Sequence, residues 1–219
     1  MDVFEIISSR HSVRQYKDVK IQDEKRKILD DFAKKLSAES GLFLLTVYDE
    51  EKAFDSAMAR YGKFKGVKNY ICLFGNKKLD EKIGFYGQAL VIKAQELNLN
   101  TCWVALTFDK SFVKKNYGDG RELRCVIALG YGETSGTARK SKSYEDVTVI
   151  KGETPENFDI GVKAALLAPT AMNQQKFRII CEDKKVSVVK NGIGFYTDMD
   201  LGIVKYNFQA ASGIKVFDE

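Results

Sequence analysis

Five consecutive residues, Arg10-His11-Ser12-Val13-Arg14, gather two guanidinium groups, an imidazole and a hydroxyl directly after the short apolar turn Val3–Ser9. Guanidinium forks match the geometry of phosphate oxygens, and the neighbouring histidine and serine add donors. The run therefore predicts a cradle for a multiply charged oxyanion. A basic pentapeptide on a solvated, lysine-rich surface has the same composition, so the run alone does not separate the two. His11 is the only histidine. A His-rich zinc site is thereby excluded, and a Ser-His-Asp triad would have to be built on that one residue. Both classes are set aside.

The chain of 219 residues, 44% apolar and 30% charged, can bury a core as one large domain or two small ones. No run approaches the roughly eighteen apolar residues of a membrane span, and Met1-Asp2-Val3-Phe4-Glu5 has no basic leader. Neither a membrane association nor a signal peptide is expected, and the protein is expected to be cytoplasmic. Cys72, Cys102, Cys125 and Cys181 lie scattered within apolar runs, which predicts buried thiols rather than a disulfide framework. The net charge of +5 comes from lysines spread among acids, as in Lys17-Asp18 and Asp80-Glu81-Lys82. Without a basic stripe interleaved with aromatics, no nucleic-acid partner is expected. A mild positive field suits an anionic coenzyme, and a solvated surface equally well.

The elements that must position these residues follow from periodicity. Ile28, Leu29 and Phe32 predict a helix over Gln22–Lys35, and apolar runs predict strands at Leu42–Tyr48, Val67–Phe74 and Leu123–Leu129. Asp80–Leu97 is expected to be an amphipathic helix, Thr101–Ala105 extended and Lys110–Tyr117 a short helix. Thr134–Ser143 reads as a loop. A helix capped by Thr154, opened by Pro155 and ended by Pro169 is expected next. Phe177–Cys181 and Val186–Val189 then predict a hairpin, and Leu201–Ala211 a final helix. Gly130-Tyr131-Gly132-Glu133-Thr134-Ser135-Gly136 is not a dinucleotide fingerprint, because the third glycine is one place late and no helical pattern follows.

The Arg10–Arg14 run resembles the R-x-S-x-R signature of the FMN-dependent nitroreductase family. Ala168-Pro169-Thr170-Ala171-Met172-Asn173-Gln174-Gln175-Lys176-Phe177 is similar to that family's A-P-S-x-x-N-x-Q-P-W, which normally follows the arginines by a few dozen residues. Here it lies near the C-terminus. Tyr144–Val149 echoes Tyr16–Ile21, and Gly194-Phe195-Tyr196 echoes Gly84-Phe85-Tyr86. An internal duplication is the economical reading. The first copy keeps the arginines and has Leu36–Gly41 where the A-P-S-x-x-N segment should follow. The second has Lys140–Ser143 in place of the arginines and keeps Ala168–Gln175. This resembles a subgroup in which a single chain mimics the family's intertwined dimer. The resemblance implies an α+β, nitroreductase-like, helix-flanked, mainly antiparallel sheet in two related halves, residues 1–140 and 141–219. One FMN is expected between the halves, in a monomeric pseudo-dimer or a homodimer.

Carried over residue by residue, the resemblance implies that Arg10 and Ser12, with His11 alongside, hold the flavin phosphate, and that Arg14 reaches the pyrimidine N1/O2 edge. Arg139 and Lys140 match residues that close the phosphate site, a role a solvated loop would mimic. Backbone N–H groups of Ala105 and Leu106 would serve N5 and O4, although glycines are common there. Asn173 and the Pro169-Thr170 backbone would touch the flavin, and Trp103 reads as a core aromatic. Tyr61 and Phe64, in the glycine-punctuated loop Ala59–Gly66, are expected to cover the flavin's open face and bind substrate. No side-chain acid or base is required, since flavin N5 carries the chemistry. The implied function is ping-pong hydride transfer from NADH or NADPH, through FMN, to a small-molecule electron acceptor such as a nitroaromatic, a quinone or a flavin. The rivals are a flavin protein with another reaction, dehalogenation or flavin fragmentation, and a non-enzymatic ligand-binding module.

Overall fold

The computed structural model describes residues 2–218. Along the chain run α1 (Val3–Ser9), α2 (Asp23–Ser40), β1 (Phe43–Val47), α3 (Ala57–Tyr61), β2 (Asn69–Phe74), α4 (Asp80–Glu96), β3 (Asn100–Val104) and α5 (Lys110–Tyr117). There follow β4 (Leu123–Gly130), α6 (Tyr144–Val147), β5 (Thr148–Lys151), α7 (Phe158–Leu166), β6 (Phe177–Glu182), β7 (Lys185–Lys190) and α8 (Thr197–Ser212). The chain forms two compact units. One comprises residues 10–79 and 90–138, the other the N-terminal residues to Ser9 with 80–89 and the chain from Arg139 onward.

The first unit is built on a four-stranded, wholly antiparallel sheet in the order β1-β2-β4-β3. Its inner strands are apolar but for Asn69 and Arg124, and β2 is buried at every position, as strands covered on both faces must be. An aromatic cluster fills one side: Phe54 meets Phe64 edge-on at 5.2 Å and lies 5.9 Å from Tyr70 and 6.1 Å from Phe108. Helix α2 packs on β1 and runs five residues beyond its expected end at Lys35. Ala33 and Leu36 continue its buried stripe until Gly41, in the left-handed region at φ 70°, donates its N–H to the Ser37 carbonyl.

The second unit holds a three-stranded sheet, β5-β6-β7, with β5 parallel and β7 antiparallel to β6. Asp183 and Lys184, at φ 45° and 68°, make the two-residue turn of the expected hairpin. Helix α8 packs against α7, β7 and α1. A Cβ on Gly84 of α4 would run into the Met199 carbonyl, and one on Gly202 of α8 into the Glu81 carbonyl, so both positions must be bare for the helices to approach.

Several local expectations are corrected. Val3–Ser9 is a helix rather than a turn, with Ile6 and Ile7 buried. Helix α7 starts at Phe158, not Pro155: the Phe158 N–H turns back to the Pro155 carbonyl at 3.3 Å, Asn157 sits at φ 62°, and Phe158 packs its ring on Phe208. Part of the presumed loop Ala59–Gly66 is helical, because α3 begins at Ala57 under a Ser56 cap whose hydroxyl accepts from the Ala59 N–H at 3.1 Å. The two echoed segments differ in conformation. Tyr144–Val147 is a helix opened by a Ser143/Asp146 capping box, whereas Tyr16–Ile21 forms no helix and is held through the bridge of Tyr16 to Gly132 and backbone bonds from Tyr16 to Lys65 and from Lys17 to Tyr131. Likewise Gly84-Phe85-Tyr86 lies inside α4, while Gly194-Phe195-Tyr196 is the turn before α8.

Candidate functional site

The Arg10–Arg14 run carries no helical or ladder structure of its own. It is fixed by neighbours on both edges. Ser12 bridges Thr101 of β3 in parallel sense, and the Val13 N–H donates to the Thr101 carbonyl at 3.1 Å. Farther on, the Lys65 N–H donates to the Arg14 carbonyl at 3.0 Å, the Tyr16 N–H to the Lys65 carbonyl at 3.0 Å and the Glu133 N–H to the Gln15 carbonyl at 2.9 Å. Val13 and Tyr16 are the buried pegs, and the Tyr16 hydroxyl donates back to the Val13 carbonyl at 2.8 Å. Gly136, at φ 80°, passes so close to His11 that a Cβ there would lie 2.7 Å from the histidine Cβ.

On this fixed backbone the two arginines differ. Arg10 is buried and Arg14 is exposed, its guanidinium carbon 5.9 Å from the centre of the Phe64 ring. Among the described residues Arg14 makes no ion pair. The field of the cluster reaches the buried Cys102 thiol: burial pushes that thiol up, against the opposing pull of Arg14, the Ser12 hydroxyl and Arg10. The segment after β3 begins with half-buried Ala105 and exposed Leu106, whose N–H makes no hydrogen bond among the described residues. Tyr61, at the end of α3, is 82% exposed. It stands beside Gly62, where a Cβ would meet the Thr107 side chain at 2.6 Å. Phe64 departs from expectation: it is a core residue, 7% exposed, drawn inward by the Phe54 cluster rather than offered to a substrate.

In the other unit the Ala168–Gln175 segment forms a tight turn. Met172, Asn173 and Gln175 all have positive φ, at 50°, 54° and 44°. Thr170 is nearly buried and its hydroxyl accepts from the Gln175 N–H at 3.1 Å. The Asn173 amide donates to the Lys140 carbonyl at 2.7 Å, and the Gln175 amide to the Leu166 carbonyl at 3.0 Å. Pro169, Thr170, Asn173, Arg139 and Lys140 are thus brought together. Arg139, expected as a phosphate cation, instead donates to the carbonyl of Leu166, the last residue of α7, at 3.2 Å and to the Ala168 carbonyl just beyond it. Those carbonyls lack helical partners, and a cation there is favoured by the helix dipole.

Sequence reading missed Asp200, in the first turn of α8. It is buried, accepts from the Ala171 N–H at 2.8 Å and from the Gln174 amide at 2.7 Å, and its carboxyl is pushed up to about 6 by burial. Nothing in the local sequence distinguishes it from Asp198, two residues earlier, half-buried and paired with Lys190.

The antiparallel sheet with its flanking helices, and the arginine segment wedged beside β3, define the α+β class of the nitroreductases. Residues 2–212 match the family model described as "Putative TM nitroreductase", and the chain belongs to this family of flavin oxidoreductases. A Thermotoga maritima protein solved as a "putative nitroreductase" superposes with a TM-score of 0.68 at 21% identity, over 96% of this chain and 83% of that one. A "putative nitroreductase in complex with FMN" from Desulfovibrio desulfuricans gives 0.54 at 19% identity, over 70% and 98% of the two chains. A "Putative NADH Oxidase" from Clostridium acetobutylicum gives 0.52 at 19% identity, over 67% and 99%. No curated protein sequence matches the chain. Among the described residues no helix is long and apolar enough to cross a membrane.

Proposed function

We propose that this protein is an FMN-dependent NAD(P)H oxidoreductase, taking a hydride from NADH or NADPH and delivering it to a nitroaromatic, quinone or flavin acceptor in a ping-pong cycle. The observation that carries this reading is Arg14, an exposed guanidinium without an ion pair among the described residues, on a backbone pinned at both edges. Such a pre-ordered cation suits an anionic ligand edge, because little is lost in immobilising it on binding. Its donor set, with Arg10, His11 and Ser12, fits FMN, a phosphate monoester joined to a ring that gains negative charge when reduced.

Bound FMN supplies the hydride-carrying N5. Arg10 and Ser12, with His11 beside them, hold the phosphate, and Arg14 holds the pyrimidine edge and its developing charge. The Ala105 and Leu106 N–H groups donate toward the ring edge. Lys140, Pro169, Thr170 and Asn173 belong to the same set. Arg139 serves it indirectly, by tying down the carbonyls that precede the turn. Tyr61 packs on planar acceptors, and Phe64 supports Arg14 from beneath. Solvent supplies protons. An internal duplication, dividing the chain near residue 140 into related halves, would make a single chain sufficient. The protein is read as cytoplasmic, as a pseudo-dimeric monomer or a homodimer.

The test is purification under non-denaturing conditions, identification of the extracted chromophore and titration with NADH and NADPH. The expected result is one FMN per chain, bleached by at least one of the nucleotides. Extraction of FAD, or no isoalloxazine absorbance after reconstitution with excess FMN, refutes the reading.

A further inference from the structure

We propose that Asp200 is a positioning residue for FMN: it holds the Thr170–Gln175 turn in its binding shape without touching the ligand. This rests on the reading above that Pro169, Thr170 and Asn173 contact the flavin. The turn's own bonds, from the Asn173 N–H to the Thr170 carbonyl and from the Gln174 N–H to the Ala171 carbonyl at 3.0 Å each, and from the Gln175 N–H to the Thr170 hydroxyl at 3.1 Å, tie it only to itself. Three of its residues without the freedom of glycine sit at positive φ, a conformation that persists only when the surroundings enforce it. Asp200 supplies that enforcement at both ends of the strained stretch, accepting from the Ala171 N–H at 2.8 Å on one oxygen and from the Gln174 amide at 2.7 Å on the other. The second hydrogen of the Gln174 amide goes to the Phe195 carbonyl at 2.7 Å, so the turn before α8 is locked into the same network.

Only a carboxylate can accept through both oxygens at once. An asparagine there would turn a donor toward the Gln174 amide, and protonation would convert one acceptor into an O–H. Arg139, on the segment preceding α6, faces Asp200 as its cationic neighbour. Lys190 of β7 is engaged with Asp198 in the preceding half-turn of α8. The turn residues Ala171–Gln175 carry no charge. Asp200 itself stands on α8, a helix held against α4 at Gly84 and Gly202, which makes it a fixed post rather than a mobile one.

Hydrogen exchange of the apo protein over residues 168–176, paired with FMN dissociation constants from flavin fluorescence, tests the proposal. Asp200→Asn at pH 7.5 is expected to exchange there about tenfold faster than the parent and to bind FMN about tenfold more weakly, the scale of a lost charge-assisted hydrogen bond. Gln174→Ala, which leaves the carboxylate in place, should show smaller effects of the same sign, and decides the matter by the same readouts if Asp200→Asn does not fold. Unchanged exchange overturns the clamp. Faster exchange with unchanged FMN affinity overturns the role toward the flavin while leaving the arginine cradle intact. A parent that binds no FMN defeats the oxidoreductase reading itself.

Discussion

Asp200 makes a prediction about stability that is separate from any ligand. The side chain is 7% exposed, and burial raises its carboxyl from the ordinary 3.8 to about 6, against the pull of the Ala171 N–H, the Gln174 amide and Arg139. A shift of about two units corresponds to about 3 kcal/mol of differential stability, at about 1.4 kcal/mol per unit. Because the folded value lies above the unfolded one, the folded chain binds the extra proton between them. The contribution is therefore fully present below pH 3.8 and is lost as pH rises through about 6. At neutral pH the fold keeps the group ionised at a cost. Asp200→Asn removes the titration while keeping the shape. Urea unfolding of the apo parent and variant across pH 4 to 8 gives two curves, and their difference isolates Asp200. The lowered carboxyls of Asp49 and Asp146 are common to both proteins. The parent should lose about 3 kcal/mol relative to the variant between pH 4 and pH 7. A flat difference, or one of opposite slope, would refute the assignment of a buried, charge-penalised carboxylate.

Arg10→Ala and Arg14→Ala should each weaken FMN binding by about one to two decades, as a lost charged hydrogen-bond partner costs about 1.5–3 kcal/mol. Arg14→Ala should also lower the flavin reduction potential; unchanged affinity and potential in both variants would contradict the cradle. Tyr61→Ala should leave thermal stability within about 0.5 kcal/mol, since the ring is exposed, while raising KM for aromatic acceptors several-fold; equal KM values would remove Tyr61 from the substrate face. Gly84→Ala should destabilise the apo protein by several kcal/mol in chemical unfolding, because its Cβ would collide with the Met199 backbone, and a neutral result would mean that the helices approach less closely than described.

The parts of the fold governed by local rules were legible. Apolar-rich runs, interrupted by Lys68 and Asn69 in one and by Arg124 in the other, located β2 and β4, and the apolar stretches on either side of Glu182-Asp183-Lys184-Lys185 located the β6–β7 hairpin. Boundaries set by long-range packing were not. Helix α7 starts where Phe158 finds Phe208, fifty residues away, and no property of Thr154 or Pro155 announces that. The same holds for the candidate site. Arg10 to Arg14 stood out because their chemistry is concentrated in sequence. Phe64 was misplaced because a glycine-flanked aromatic looks exposed until its partner Phe54, ten residues upstream, is known. Asp200 was invisible because its role arises from residues 171 and 174, brought to it by the chain's return.

The division of the chain into units has a consequence for how the protein can be made. The unit that carries Asp200 draws on the first nine residues, on 80–89 and on everything from Arg139 onward, with α1 packed against α7 and α8. A ribosome releasing the first 138 residues has therefore delivered α1 and the start of α4 without the helices they rest on. During that interval Ile6, Ile7 and Ile83, all buried in the finished structure, wait exposed. Closing the unit requires joining segments more than a hundred residues apart, the kind of long loop that slows folding and leaves apolar surface open to aggregation. A fragment cut at residue 140 would hold such a state indefinitely, so expression of either part alone is expected to yield insoluble protein, and coexpression of the two parts to restore solubility.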